Sequence, residues 1–234
     1  MTLEIHPVPG LPEIEQGADL AAMLAEAIDA AGLAVESGDV LVVTHKIVSK
    51  AEGAVVPLGD DEEAGYRALV EKQAAAVIRR RGALAITVTR HGFVCANAGV
   101  DRSNAAPGTA VLLPADPDRS AHRIRMGIQR ATGVDVAVVV TDTFGRAWRR
   151  GLSDVAIGLS GLDPILDLKG TTDAQGRVLD VTETAVADEI AAAADLVMGK
   201  AAQIPAALVR GLGLPMGDGR AADLVRDPGD DMFR

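Results

Sequence analysis

Several short segments of the 234-residue chain bring carboxylates, hydroxyls and cations close enough in sequence to serve one substrate. In Thr141-Asp142-Thr143-Phe144-Gly145-Arg146-Ala147-Trp148-Arg149-Arg150 a carboxylate stands between two hydroxyls, directly after the apolar run Val136–Val140. That set suits Mg²⁺ or Mn²⁺, hard cations that prefer oxygen ligands and keep positions open for phosphate oxygens. Arg146, Arg149 and Arg150 follow closely, and guanidinium groups pair bidentately with phosphate or carboxylate. The competing reading makes Asp142 a helix N-cap or turn residue and leaves the arginines on a solvated face. A second segment, Cys95 to Asn104, carries Asp101 after Gly99, which permits a sharp turn. Here the alternative is an Asx turn built on Asp101 and Asn104. If the two loops share a metal, each aspartate gives one ligand and an anionic substrate completes the shell.

A third segment, Thr44-His45-Lys46-Ile47-Val48-Ser49-Lys50, places two lysines four residues apart. On a helix both ammonium groups lie on one face, near a strand end where ligands gather; otherwise they are solvated lysines. His45 has no second histidine nearby and reads as a hydrogen-bonding or surface residue rather than a metal ligand. Gly10-Leu11-Pro12-Glu13-Ile14 reads only as a rigid turn. Cys95 reads as a small buried side chain, not a nucleophile.

The elements that must position these groups follow from periodicity and breakers. Strands are expected at Leu3–Val8, Val40–Val43, Ala54–Pro57, Ala110–Leu113, Val134–Val140, Pro164–Leu168 and Ala206–Arg210. Leu84–Thr89 and Gly92–Ala96 read as a hairpin around Arg90-His91. Helices are expected over Gly17–Glu36, Glu62–Arg81, Asp118–Ala131 and Ala185–Met198. A turn is expected near Asp173-Ala174-Gln175-Gly176, and the polar segment from Gly217 is expected to be loosely held. The elements do not alternate regularly as strand and helix, and the class expected is α+β, with mixed sheets flanked by helices.

Composition narrows the function. Aromatics make up only 2%, too few for a base-stacking platform, and 33 acidic against 23 basic residues give a charge of −10 that disfavours binding to duplex nucleic acid. One cysteine excludes an internal disulfide, and four histidines make a histidine-rich metal cage improbable. No segment resembles a signal peptide or a membrane span, so no membrane partner and a cytoplasmic location are expected. The G-x-x-x-x-G-K-[ST], G-x-G-x-x-G and G-x-S-x-G motifs are absent, so any nucleotide must be held by another kind of loop. Cations concentrated beside two aspartates in an acidic chain suggest a metal-dependent enzyme acting on phosphorylated substrates.

At these same segments the sequence resembles the coenzyme F-420:L-glutamate ligase family. The likeness is carried by Gly10-Leu11-Pro12-Glu13, by Gly38-Asp39-Val40 through Lys46-Ile47-Val48-Ser49-Lys50-Ala51-Glu52-Gly53, and by Ala98-Gly99-Val100-Asp101-Arg102-Ser103-Asn104. It continues through Thr141 to Arg149, Val186 to Lys200 and Val209-Arg210-Gly211. The resemblance implies a GTP-dependent ligase that adds L-glutamate to the glutamate-free form of F-420 through an acyl phosphate. It implies catalytic and metal roles for Asp101 and Asp142, with Thr143 as a further ligand of Mg²⁺ or Mn²⁺; K⁺ is a candidate monovalent cofactor. It implies a GTP site at Leu11, Pro12, Glu13, Ile14, His45, Lys46, Lys50 and Asn104, and a nucleotide-contacting loop from Met198 to Pro205 that includes Gly199 and Lys200. Arg146 and Arg149 are assigned to substrate anions by inference from their chemistry alone. His45 and Lys200 depart from relatives, many of which carry a serine at the first place and some a metal-coordinating side chain at the second. The resemblance further implies intertwined lobes forming a homodimer; a ligase domain is expected over residues 1–216 followed by a tail over 217–234, without the C-terminal flavin-binding domain to which some relatives are fused. Two other functions remain open: a related metal-dependent ligase with another carboxylate acceptor, and a nucleotide- or F-420-binding module without ligase activity.

Overall fold

The computed structural model describes residues 2–199 and 202–232. In chain order the elements are β1 (Glu4–Val8), α1 (Leu20–Ala30), β2 (Val40–Thr44), α2 (His45–Ala51), β3 (Val55–Pro57) and α3 (Glu62–Gln73). Then come β4 (Ala74–Arg81), β5 (Leu84–Thr89), β6 (Val94–Ala96), β7 (Thr109–Val111), α4 (Pro117–Thr132) and β8 (Ala137–Gly145). The series ends with β9 (Leu152–Ser160), β10 (Leu166–Asp167), β11 (Glu183–Thr184), α5 (Val186–Met198) and β12 (Ala206–Arg210).

The core is a five-stranded sheet in the order β1-β12-β2-β8-β9, in which β2 and β8 are parallel and the other pairs antiparallel. Val40 to Val43 and Ala137 to Thr141 are buried at every position, as expected of strands covered on both faces. Leu41, Val42 and Val43 are shielded completely, and burial of each contributes about 1.5–3 kcal/mol. Helix α4 packs on β8 and β9, and α5 on β9, β12 and β1. Asp116 caps the α4 start by accepting from the Arg119 amide, Pro117 supplies a preset φ in the first turn, and Gly133 ends the helix at φ +77°. Gly158 lets this helix lie against β9, because a Cβ there would stand 2.4 Å from the Pro117 carbonyl carbon. Two smaller sheets flank the Asp101 segment: β4-β5-β6 leads into it, and β7 of the β3-β7 pair follows it, with Asp101 bridged to Val111. The architecture is α+β, as expected.

Three local expectations are corrected. The expected helix over Glu62–Arg81 stops at Gln73, and Ala74–Arg81 is a strand paired antiparallel with β5. The apolar strand entering the Thr-Asp-Thr motif does not end before it: β8 continues to Gly145 and turns back as β9, a strand not anticipated. Asp142 therefore sits within a strand rather than at a helix N-cap. The segment from Gly217 is not loose throughout, since the Gly219 and Ala221 amides donate to Asp163 and Asp118 and Ala221 is buried. Among the described residues no helix is long and apolar enough to cross a membrane.

Candidate active site

The site lies at the end of β2, where its parallel neighbour β8 runs on past it. Thr44 is in register with Thr141, which sets the start of α2 beside the Thr-Asp-Thr motif. Between Val140 and Thr141 the β8–β9 pairing slips: Val140 faces Gly158, whereas Thr141 faces Ala156. Such a bulge re-aims the side chains that follow it, and beyond it Asp142 pairs with Val155 and Thr143 with Asp154.

A cavity of about 570 Å³ opens over the end of β2 and the adjoining part of β8, lined by Thr44 and Thr143. The turn Leu11–Ile14, the α2 lysines Lys46 and Lys50, Asn104, Thr143, and Met198 with Gly199 from the end of α5 all line it. These residues come from five separated stretches of the chain, all singled out in the sequence. The Met198–Pro205 loop also contributes Gln203, Ile204 and Pro205, and the Thr44 amide donates to the Pro205 carbonyl at 2.9 Å. Lys50 pairs with Glu13, joining α2 to the first turn. Lys200 lies outside the described residues.

The remaining expected residues are placed differently. His45 does not line the cavity; it is 1% exposed beneath it, with Nδ1 3.3 Å from Ser49 Oγ. Its Nε2 lies 3.2 Å from Asp142 Oδ1 without hydrogen-bond alignment. Arg146, Arg149 and Arg150 are exposed at the β8–β9 hairpin tip rather than on helical turns. Arg146 donates to the Arg150 carbonyl at 2.7 Å, and neither Arg146 nor Arg149 reaches the cavity wall.

Asp101 and Asp142 meet through Lys46. The buried Lys46 Nζ lies 2.7 Å from Asp101 Oδ2, and its charge also acts on Asp142. Asp101 forms the Asx turn as well, accepting from the Ser103 amide and hydroxyl at 2.7 and 2.8 Å. Burial raises the Asp101 carboxyl, but Lys46 and Ser103 outweigh it and hold the group below the usual carboxylate range. Burial likewise opposes ionisation of Asp142, yet His45, Lys46 and the Thr143 amide keep it low. Both aspartates are thus kept anionic beside cations.

Asp154 and Asp195 also line the cavity and were not singled out for a role from the sequence. Asp154 accepts from Thr143 Oγ1 at 2.6 Å and from Thr141 Oγ1 at 2.9 Å. Burial pushes its carboxyl up; the threonines pull the other way, and the charges of Asp195 and Asp142 add to the rise. The one signal for Asp154 was a lone carboxylate in the otherwise apolar run Val155–Leu159 and its flank, which becomes informative only once β9 is paired with β8.

Asp101 and Asp142, held anionic, and the Thr143 hydroxyl are oxygen donors of the type Mg²⁺ and Mn²⁺ prefer; of the three, only Thr143 borders the cavity. Among the described residues no three His, Cys, Asp or Glu side chains are grouped so as to hold a metal ion by themselves.

Cys95 is buried in β6, and burial, with the nearby Asp142 charge, pushes its thiol up to about 12. We expect the native chain to resist thiol reagents at pH 8 under conditions that label it fully in denaturant. Stoichiometric labelling of the native chain would contradict its placement.

Residues 10–211 match the model of the F420-0:Gamma-glutamyl ligase family. Proteins named coenzyme F420:L-glutamate ligase from Methanopyrus kandleri and Methanothermobacter thermautotrophicus are each 41% identical to it, over all of this chain and 98% and 100% of their own lengths. The protein of that name from Methanocaldococcus jannaschii is 39% identical over 86% of both chains. A match that spans the β1–α1 turn, both aspartate segments and the end of α5 takes in every wall of the cavity, and the chain belongs to the F420-0:gamma-glutamyl ligase family.

Proposed function

We propose that the chain ligates L-glutamate to the glutamate-free form of coenzyme F-420, using GTP and a divalent cation. The observation that carries this reading is the cavity itself. Within the size range of small-ligand sites, it brings the two α2 lysines together with the carboxylates of Glu13, Asp154 and Asp195 and the Thr143 hydroxyl.

The chemistry follows from the reactants. A carboxylate is a poor electrophile because its oxygen leaves badly. Transfer of the γ-phosphoryl of GTP to a carboxylate oxygen of the acceptor forms one P–O bond, breaks the β,γ-bridging bond and releases GDP. The glutamate amine, having lost a proton, attacks the carbonyl carbon of the acyl phosphate. The C–N bond forms as the C–O bond to phosphate breaks, leaving an amide and inorganic phosphate. Lys46 and Lys50 offset phosphate charge that an acidic protein otherwise repels. Leu11, Ile14 and Met198 give the apolar wall against which a base packs. Asp101, Asp142 and Thr143 are the residues that would hold the divalent cation, which when bound neutralises charge on the transferring phosphoryl. Arg146 and Arg149 remain candidates for substrate anions only if the hairpin tip approaches the cavity in the complex.

A homodimer is part of this reading. Val77, Ile78, Leu84 and Val94, on strands of the β4-β5-β6 sheet, are between 39% and 47% exposed. The outer edge of β4 has no partner strand among the described residues. A second copy would cover this surface and edge. A cytoplasmic location is proposed with it, because GTP is a reactant.

The acyl-phosphate route is tested with an acceptor labelled with ¹⁸O in its carboxylate. One labelled oxygen should appear in the released phosphate. Unlabelled phosphate accompanying amide formation would overturn the route.

A further inference from the structure

A threonine hydroxyl carries one proton and two lone pairs, so it can donate to a phosphate or accept toward a cation. These choices favour opposite ligands, and the neighbour that takes the proton decides between them. At the cavity floor the Thr143 proton goes to Asp154 Oδ1, 2.6 Å away, in the residue directly across the strand pair. Thr141, two residues earlier in β8, gives its proton to Asp154 Oδ2 at 2.9 Å. One carboxylate therefore takes both hydroxyl protons, each of its oxygens serving one threonine. Thr141 is fully buried, whereas Thr143 and Asp154 both border the cavity. The bulge at Val140–Thr141 creates this match, because it brings Thr143 opposite Asp154.

We propose that Asp154 is a positioning residue that commits the Thr143 proton away from the cavity and so presents the Thr143 oxygen as a cation ligand. The inference rests on the cation-dependent reading above. It assigns a role to a residue that touches neither the phosphates nor the acceptor in that reading.

The test uses the full chain and reads Mn²⁺ directly, by the spin-resonance signal of free Mn²⁺ in the presence of GDP, alongside turnover. Asparagine at this position offers one acceptor oxygen and one NH₂ group, so it serves only one of the two hydroxyls. In Asp154→Asn, Mn²⁺ affinity should fall by about 10- to 100-fold, and the KM for Mn²⁺ should rise to match. Turnover at saturating Mn²⁺ should stay within about threefold, since the phosphate-facing lysines are untouched. Thr143→Val should weaken Mn²⁺ to a similar degree, and Thr143→Ser, which keeps the hydroxyl, should restore it. Combining Asp154→Asn with Thr143→Val should cost little beyond either alone, because one acts through the other. A tie that merely joins β8 to β9 would instead lower the melting midpoint and leave Mn²⁺ affinity unchanged in both Asp154→Asn and Thr143→Val. That result, or additive losses in the double variant, would overturn the proposal. Thr143→Val keeps the test open even if Asp154→Asn does not fold. Failure of the unaltered chain to bind Mn²⁺ with GDP would overturn the cation-dependent reading itself, a result distinct from the failure of this inference alone.

Discussion

Asp142→Asn should reduce turnover by about 10³-fold while leaving the fold intact. The side chain keeps its size and one acceptor oxygen for the Thr143 amide, which donates to Asp142 Oδ1 at 2.8 Å. What disappears is the negative charge that His45 and Lys46 hold in place. In the proposed mechanism that charge binds the cation, whose stabilisation of the transferring phosphoryl amounts to several kcal/mol. At about 1.4 kcal/mol per tenfold, roughly 10³-fold follows. The fold is spared because Lys46 retains Asp101 at 2.7 Å and the strand pairing of β8 uses backbone groups. Turnover and a thermal melt of the same preparation check this. Near-normal turnover would remove Asp142 from the chemistry, and a large fall in the melting midpoint would make the loss structural.

The largest effect on stability is expected away from the cavity, at Asp39. This side chain is 1% exposed at the start of β2 and accepts a bidentate pair from Arg210 at the end of β12, at 2.9 and 2.8 Å. It also accepts from the Glu36 amide at 2.8 Å. Arg210 donates further to the Ala34 carbonyl at 2.6 Å and pairs with Glu36 at 2.7 Å. The cluster thus fastens the β2–β12 seam at the strand ends remote from the Thr44 end. Removing one partner of a buried pair costs about 3–5 kcal/mol. Arg210 is partly solvated and keeps Glu36, so the lower end applies to Asp39→Ala, about 3 kcal/mol. In a chain of this length that lowers the melting midpoint by about 10 °C. The KM for nucleotide should be unchanged well below the transition. A midpoint shift of only about a degree would show that the seam does not depend on this pair.

What the sequence revealed and what it hid have physical reasons. Strand β2 was legible because Val40–Val43 is an unbroken apolar run rich in β-branched residues after the Gly38-Asp39 turn, and β12 because the apolar run Ala206–Val209 stops at Arg210-Gly211. Ala74–Arg81 was not, because its alanines and arginines favour a helix and only pairing with β5 makes it a strand. Strand β9 was missed because Gly158 weakens its local signal, and that glycine is explained by the approach of Pro117, remote in sequence. The cavity walls at Leu11–Ile14, Lys46, Lys50, Asn104 and Met198 could be named from family likeness, but periodicity alone could not bring them together. Asp154 depends on the register of a hairpin with a bulge, which no local pattern encodes. The resemblance put His45 at the nucleotide site, and only the placement of α2 shows that its Nε2 lies against Asp142.

The central claim is ligation of glutamate to the glutamate-free deazaflavin, and mass spectrometry of the products tests it most directly. The full chain would be incubated with that acceptor, L-glutamate, Mn²⁺ and either GTP or ATP. The account predicts mass gains in steps of one glutamate residue with GTP and none with ATP. An unchanged acceptor mass, from folded protein that binds the nucleotide, would contradict it.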